Sequence, residues 1–392
     1  MLKLNAGFES VGNDGIDNSA SLTYMSASAM IGNGITSIGL TNIGNPNLQW
    51  ETTNRFNAGI EGNFINNRLN VKANYFYSKT NNLVTLGNLA YVAGLNDYYT
   101  NDGSLKNEGM DGAFNAKIID SKDFKFELGA SVGHYKNKLK SLPQGQKSFV
   151  TNMYGGSILS EVGRSAGVFY GYKTDGVYAT SEAAAADGKY IVDNAKNKIY
   201  FGAGDMKFVD KDGNGEINDN DRFVIGDPNP DIYGNINLNF HFGEHWALGA
   251  NFAYSLGNDI YNYQRSILEG GSKFINQTTA VNRRWSAEGM ITDVPKATYN
   301  DPMGNGRFSD RWIEDGSYLK LKNITLSYKL PVQNEYFQGI TIWAACNNLF
   351  TMTKYLGVDP EVSCRNGVLY QGIDAGYLSS GRSLHLGVKI NL

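Results

Sequence analysis

Between Asp231 and Gly243 the side chains alternate strictly. Ile232, Gly234, Ile236, Leu238, Phe240 and Phe242 fall on one face, and Tyr233, Asn235, Asn237, Asn239 and His241 on the other. The next stretch repeats the pattern, with Trp246, Leu248, Ala250, Phe252 and Tyr254 opposing Ala247, Gly249, Asn251, Ala253 and Ser255. The last one sets Leu384, Leu386, Val388, Ile390 and Leu392 against Ser383, His385, Gly387, Lys389 and Asn391. A period of two belongs to β-strands with one apolar face. A soluble sandwich with its apolar side turned inward would share it.

The same reading places ten strands near 2–11, 53–64, 68–80, 105–119, 123–137, 231–242, 245–256, 318–330, 339–348 and 382–392. Most run to roughly 10–15 residues, against about five or six for a globular strand and about 9–11 for a tilted strand crossing a bilayer. Within 318–330 the phase slips: Leu319 and Leu321 are odd, whereas Ile324, Leu326, Tyr328 and Leu330 are even. A β-bulge near Asn323 accounts for the slip.

The connections discriminate further. They alternate long (12–52), short (65–67), long (81–104), short (120–122), very long (138–230), short (243–244), long (257–317), short (331–338) and long (349–381). Outer-membrane barrels join their strands by tight periplasmic turns and extended external loops. A sandwich has no physical reason to gather its long loops at one end. The expected fold is therefore all-β, an antiparallel transmembrane β-barrel whose last strand ends in the periplasm. Residues 1–392 form one barrel part with long extracellular loops at 138–230 and 257–317, and no second core is expected. Ser181–Asp187, SEAAAAD, reads as a short helix decorating the longest loop.

Composition agrees with strands and turns: 46 Gly, 24 Tyr and 19 Phe, but only 8 Pro, in 392 residues. A net charge of −3 gives no electrostatic case for nucleic acid. Cys346 and Cys364 fit neither a disulfide framework nor a zinc spacing. No apolar run is long enough for a membrane helix or a secretory leader.

The best ligand candidate is the segment Asp210–Asp221, DKDGNGEINDND. As a twelve-residue calcium loop it puts Asp210, Asp212 and Asn214 at positions 1, 3 and 5 and Gly215 at the sharp turn. Glu216 offers a carbonyl, Asn218 sits at position 9, and Asp221 closes the loop at 12. Hard oxygen donors on alternate residues suit a bound Ca2+ with a structural role. The competing reading is an Asx-rich external turn before the strand at 231–242. Gly163–Gly167 matches G-x-S-x-G, but that chemistry needs a strand–turn–helix setting and a His base. His134, His241, His245 and His385 all lie on strands or short turns, so no catalytic residue is expected. No P-loop, H-E-x-x-H or dinucleotide glycine pattern occurs in its proper setting. Tyr98, Tyr99, Tyr154, Tyr170, Trp285 and Trp312 could stack on sugar or peptide groups; for most of them an interfacial girdle or plain loop packing is the favoured reading.

Four segments carry a family resemblance. Asn347-Asn348-Leu349-Phe350-Thr351, continued by Thr353-Lys354-Tyr355 and Asp359-Pro360-Glu361, resembles a signature near the end of the SusC/RagA family of TonB-dependent outer-membrane transporters from Bacteroidetes. The run Asp315–Leu326, the run Asn45–Thr52 and the run Gly171–Gly176 are similar to segments of the same family. The resemblance implies nutrient import across the cell outer membrane, taking up glycans or oligopeptides. It implies a SusD-like surface lipoprotein as lid and a TonB complex acting through a plug. Such barrels have about 22 strands, so the ten seen here would be the C-terminal part, with the plug and the remaining barrel segment supplied elsewhere. Leu392 stands where such barrels commonly end in an aromatic residue. The cut leaves open edges at 2–11 and 382–392, and unpaired backbone groups in lipid cost several kcal/mol each. The chain alone is expected not to make a stable transporter. Two other classes stay open: a passive outer-membrane pore, and a soluble calcium-stabilised surface-binding β-domain.

Overall fold

The computed structural model describes residues 1–392 apart from 17–18, 30–35, 90–91, 93, 96, 332–338, 366 and 392. Ten strands form one sheet in which each follows its predecessor. They are β1 (Leu2–Asn13), β2 (Glu51–Phe64), β3 (Leu69–Asn88), β4 (Asp97–Asp120), β5 (Phe124–Ser141), β6 (Ile232–Phe242), β7 (Trp246–Leu256), β8 (Tyr318–Leu330), β9 (Gly339–Thr353) and β10 (Ser383–Asn391). Among the described residues, β1 and β10 are the terminal members of the order, each with one neighbour. All ten lie where the alternation puts them. The expected long connection at 81–104 is corrected, because β3 runs on to Asn88 and β4 begins at Asp97. Pairs such as Thr85↔Thr100 and Leu83↔Gly103 continue the ladder across two irregularities, so polar residues do not end a strand while its neighbour still pairs with it. The short turn expected at 331–338 falls almost wholly outside the described residues.

Two compact units divide the chain. The first comprises Met1–Ile119, Glu127–Phe149 and Ser160–Ala166. In it, Leu4 pairs with Ile60, Ala6 with Ala58 and Phe8 with Phe56. These positions pair onward with Ala73, Tyr75 and Tyr77, and Ala73 and Tyr75 with Gly112 and Met110. Directly paired residues point to the same side, so the apolar face is continuous across four strands. The expected turn at 65–67 is present. Ile65, Asn66 and Asn67 all have left-handed φ, 52°, 51° and 65°, a conformation that Asn tolerates best among residues with a Cβ.

The second unit comprises Asp120–Phe126, Val150–Leu159 and Gly167–Leu392. Here the apolar face runs Leu238–Ala250–Ile324–Cys346–Leu384 across five strands, with Phe240–Leu248–Leu326–Ala344–Leu386 beside it. Leu384, Leu386 and Val388 are 70%, 76% and 60% exposed, which in water would forfeit roughly 1.5–3 kcal/mol per side chain. The slip in β8 is the expected bulge. Leu321 pairs with Phe252 and Asn323 with Asn251, leaving Lys322 as the extra residue. β9 answers with its own insertion between Asn347 and Phe350, where Asn348 takes φ 52°. No described helix is long and apolar enough to cross a membrane.

The expectation of no second core is wrong. The segments between the long strands fold into small sheets with apolar centres of their own. Strands Ser148–Met153, Gly156–Glu161, Val168–Tyr172 and Arg222–Gly226 form a four-stranded sheet. Phe169, Trp312 and Ile373, all fully buried, pack with Ile158, Tyr261, Phe308 and Cys364. A second cluster holds Tyr172, Tyr178, Phe201, Met206, Phe208, Ile217 and Met303. The helix expected at 181–187 is present as α1 (Ser181–Asp187), capped by the Thr180 hydroxyl and ended by Gly188 at φ 63°.

Candidate functional site

The loop Asp210–Asp221 is built on backbone amides. Asp210 accepts N–H bonds from Gly213 (2.8 Å) and Gly215 (2.7 Å), and Asp212 accepts one from Asn214 (3.2 Å). Asn214 accepts from Glu216 (2.6 Å) and Asn218 from Asn220 (2.9 Å). Asp221, with no exposed surface, accepts from Lys211 and Asn218, both at 2.8 Å. The two glycines take φ 74° and 82°, which a residue with a Cβ would resist. The chain thereby curls so that carboxylate oxygens of Asp210, Asp212 and Asp221 all lie within 4.8 Å of one another. Burial pushes the Asp210 carboxyl up, but the N–H bonds from Gly215 and Gly213 outweigh it and hold it below the ordinary range. The Lys211 ammonium turns away to the Arg222 carbonyl (2.9 Å), so no lysine fills the cluster.

Of the residues expected at this site, the three aspartates converge. Asn214, Glu216 and Asn218 occupy the same turn, with both asparagine side chains bracing it. Asp219 faces the other way, pairing with Arg222 and accepting from the Tyr172 hydroxyl (3.3 Å). The three converging carboxylates are a group that could hold a hard cation. Between the donors, Ile217 plunges into the cluster with Tyr172 and Phe208. It is fixed there by Tyr190 through Tyr190 N–H to Gly215 O (3.0 Å) and Ile217 N–H to Tyr190 O (2.8 Å). The loop is thereby tied to the core beside it.

The other candidates resolve toward packing. Gly163–Gly167 sits between two strands with φ 93° and 86° at its glycines; a strand–turn–strand setting is not the nucleophile elbow. Trp312 lies at the centre of a core with its Nε1–H on the Arg307 carbonyl (3.1 Å) and guanidinium groups of Arg311 and Arg265 at 4.3 and 5.6 Å from its ring. Trp285 donates to the Ala179 carbonyl (3.0 Å), and Tyr154 packs on Tyr263.

Opposite the apolar face, the wall of the second unit is polar. Asn237, Asn251, Asn323, Asn347 and Ser383 stand at one level on five consecutive strands. Asn251 donates to Asn237, Asn323 to Asn347 (2.8 Å), and Asn347 to Ser383 (3.1 Å). On the same face, Lys320 is 2% exposed, its ammonium 2.8 Å from Asp359 and 2.7 Å from Glu361. Lys322 reaches Glu361 at 2.6 Å and the Tyr318 hydroxyl donates to it at 3.1 Å. Burial raises the Glu361 carboxyl, but the two lysines outweigh it and hold it below its usual range. Sequence reasoning missed this cluster. Its one signal, Lys320 and Lys322 at alternate positions near the start of β8, gains meaning only once the segment 354–382 folds back over β8.

Comparison with known proteins gives consistent matches. Residues 19–349 match the family described as TonB dependent receptor-like, beta-barrel. A TonB-dependent receptor of Formosa agariphila is 30% identical over 404 residues, covering 99% of this chain and 39% of that protein. The TonB-dependent receptor SusC of Bacteroides thetaiotaomicron is 26% identical, covering 88% of this chain and 32% of that one. Among solved structures, the RagAB peptide importer in its closed-closed state superposes with a TM-score of 0.78 at 23% identity, over 99% of this chain and 40% of the matched one. The chain thus spans about 40% of the length of the relatives it matches.

Proposed function

Since the chain belongs to the TonB-dependent receptor β-barrel family, an outer-membrane transport family and not an enzyme family, we propose that it serves as barrel wall and long-loop face of an importer for glycans or oligopeptides. The observation that carries this reading is the two-faced strand pattern: an apolar surface along the strands of each unit, and in the second unit an amide-lined polar surface opposite it. The segments 142–230, 257–317 and 354–382 are external in this reading, and the short turns periplasmic. A SusD-like lipoprotein closes the importer from outside, and a plug held by the remaining barrel segment answers to TonB. Residues Asp210, Asp212, Asn214, Glu216, Asn218 and Asp221 hold a structural Ca2+ that fixes the loop against its apolar neighbour; the ion's charge offsets the three converging carboxylates.

The test is uptake by whole cells. Fluorescent oligopeptides and oligosaccharides enter cells carrying the gene, a protonophore stops entry, and a tagged protein brings down one surface lipoprotein in equal amount. Entry that ignores the protonophore would mean a passive pore. Protease cleavage of the 142–230 segment on intact cells confirms the orientation; protection of that segment inverts it.

A further inference from the structure

Two Asn-Gly steps lie among the described residues, Asn214–Gly215 in the acidic loop and Asn305–Gly306 in the segment 257–317. An asparagine followed by glycine can lose its side-chain amide to its own main chain, because no Cβ on the next residue crowds the attacking nitrogen. The structure treats the two steps differently. Asn214 is exposed to water. The nitrogen that would attack, Gly215 N, gives its hydrogen to Asp210 Oδ2 at 2.7 Å. The carbonyl that would be attacked, through Asn214 Oδ1, accepts the Glu216 N–H at 2.6 Å. The first bond draws the proton off the nucleophile, and the second stabilises negative charge as it builds on the oxygen. Asn305, by contrast, is 3% exposed and held at both ends of its amide, Oδ1 by the Met206 N–H (2.8 Å) and Nδ2 on Asp205 (2.9 Å). Its glycine also rests on a carboxylate, Gly306 N–H on Asp301 Oδ2 at 2.7 Å. A base alone therefore does not separate the two; the freedom of the amide and its access to water do.

We propose that Asn214 is a site of self-modification, deamidated by its own loop. The Gly215 nitrogen bonds to Asn214 Cγ as its proton passes to Asp210, and the oxyanion formed at Oδ1 rests on the Glu216 N–H. The bond from Cγ to the amide nitrogen then breaks, that nitrogen takes up the proton and leaves as ammonia, and a cyclic imide remains. Water opens the imide at either carbonyl, giving an aspartate at position 214 or its β-linked isomer. No electrons are transferred. The aspartate adds a carboxylate beside the three that converge. The isomer lengthens the main chain inside the turn that Gly213 and Gly215 tie to Asp210. A cation on the loop would occupy Asp210 and the Asn214 amide oxygen together and so stop the reaction. That last point rests on the calcium reading given above; the reaction itself does not.

The experiment uses the complete protein, purified in mild detergent with a chelator and incubated at neutral pH. Peptides carrying residues 214 and 305 are read by mass spectrometry for conversion of amide to acid. In the folded protein Asn214 converts and Asn305 does not, whereas in denaturant the two convert alike. Asp210→Asn slows conversion at Asn214 about tenfold, a modest share of what a positioned base supplies. Asp210→Glu restores part of the rate, and in denaturant neither substitution has an effect. Conversion at Asn214 no faster in folded than in unfolded protein, equal conversion at Asn305, or an Asp210→Asn variant as fast as wild type would each overturn the proposal. Ca2+ in place of the chelator slows the wild type. A rate that ignores Ca2+ would count against the bound ion and leave the reaction standing, so the two readings fail separately.

Discussion

Replacing Lys320 with methionine tests how the 354–382 segment is held against β8. The side chain is 2% exposed and its ammonium serves two carboxylates at 2.8 and 2.7 Å. Removing one member of a buried ion pair typically costs about 3–5 kcal/mol, because the partner charge stays buried without compensation. Glu361 keeps Lys322 at 2.6 Å and the Tyr318 hydroxyl, so the orphaned group is Asp359, and the lower end of the range applies. About 3 kcal/mol corresponds to roughly a hundredfold rise in the open population of the segment. Arg365 is exposed within that segment and provides a tryptic site whose cleavage rate follows the open population when reclosing is fast. Lys320→Met therefore raises cleavage at Arg365 by roughly a hundredfold while the heat-resistant gel mobility of the barrel stays unchanged. Adding Asp359→Asn to the same protein restores most of the protection. A single variant within threefold of wild type, or a double variant worse than the single, would show that the cluster does not hold the segment down.

Other expectations follow from the same geometry. Because Lys320 and Lys322 hold the Glu361 carboxyl below its ordinary value of 4.5 against the opposing effect of burial, their contribution is complete above about pH 4.5 and fades as pH falls below it; hydrogen exchange of residues 354–382 measured against pH reads this loss. Leu238→Lys on the apolar face costs about 2–4 kcal/mol near the bilayer middle, whereas Asn239→Lys beside it on the polar face costs little; the yield of heat-resistant barrel distinguishes them, and equal yields would contradict the assignment of faces. Adding Ca2+ slows proteolysis of the loop at 210–221, and Asp221→Asn removes the effect; calcium independence of the wild type would leave the turn as an Asx-rich connection only. Trp312→Ala loosens the core around Phe169 and Tyr261 by about 3–5 kcal/mol, seen as early cleavage within 257–317 without loss of the membrane-spanning strands.

The wall of this protein is legible in its sequence because lipid on one side and water on the other impose an alternation with few exceptions. Even the exception could be read: the change of phase after Leu321 is Lys322 bulging out of register. The interior of the long connections is another matter. Trp312, Phe169, Tyr261 and Ile373 come from four separate stretches, each too short to show a period, and only their meeting makes a core. The acidic loop was legible because its donors are consecutive, whereas Lys320 and Asp359 are 39 residues apart and gain meaning from a fold-back that no local pattern encodes. The underestimated lengths of β3 and β4 have a related cause: beyond the lipid boundary, ladder pairing continues without any need for alternation.

The row of asparagines joining β6 to β9 bears on how such a wall is put together. Hydrocarbon is indifferent to whether a new strand docks one step up or down, since any apolar residue serves as well as another. An amide that must find its mate is not indifferent. A shift by one residue would turn Asn323 or Asn347 toward the acyl chains, stripped of its partner, and a shift by two would strand it at the wrong height. β7 and β8 thus each present one asparagine, Asn251 and Asn323, against which the neighbouring strand is measured, so alignment can be proofread there before the sheet is complete.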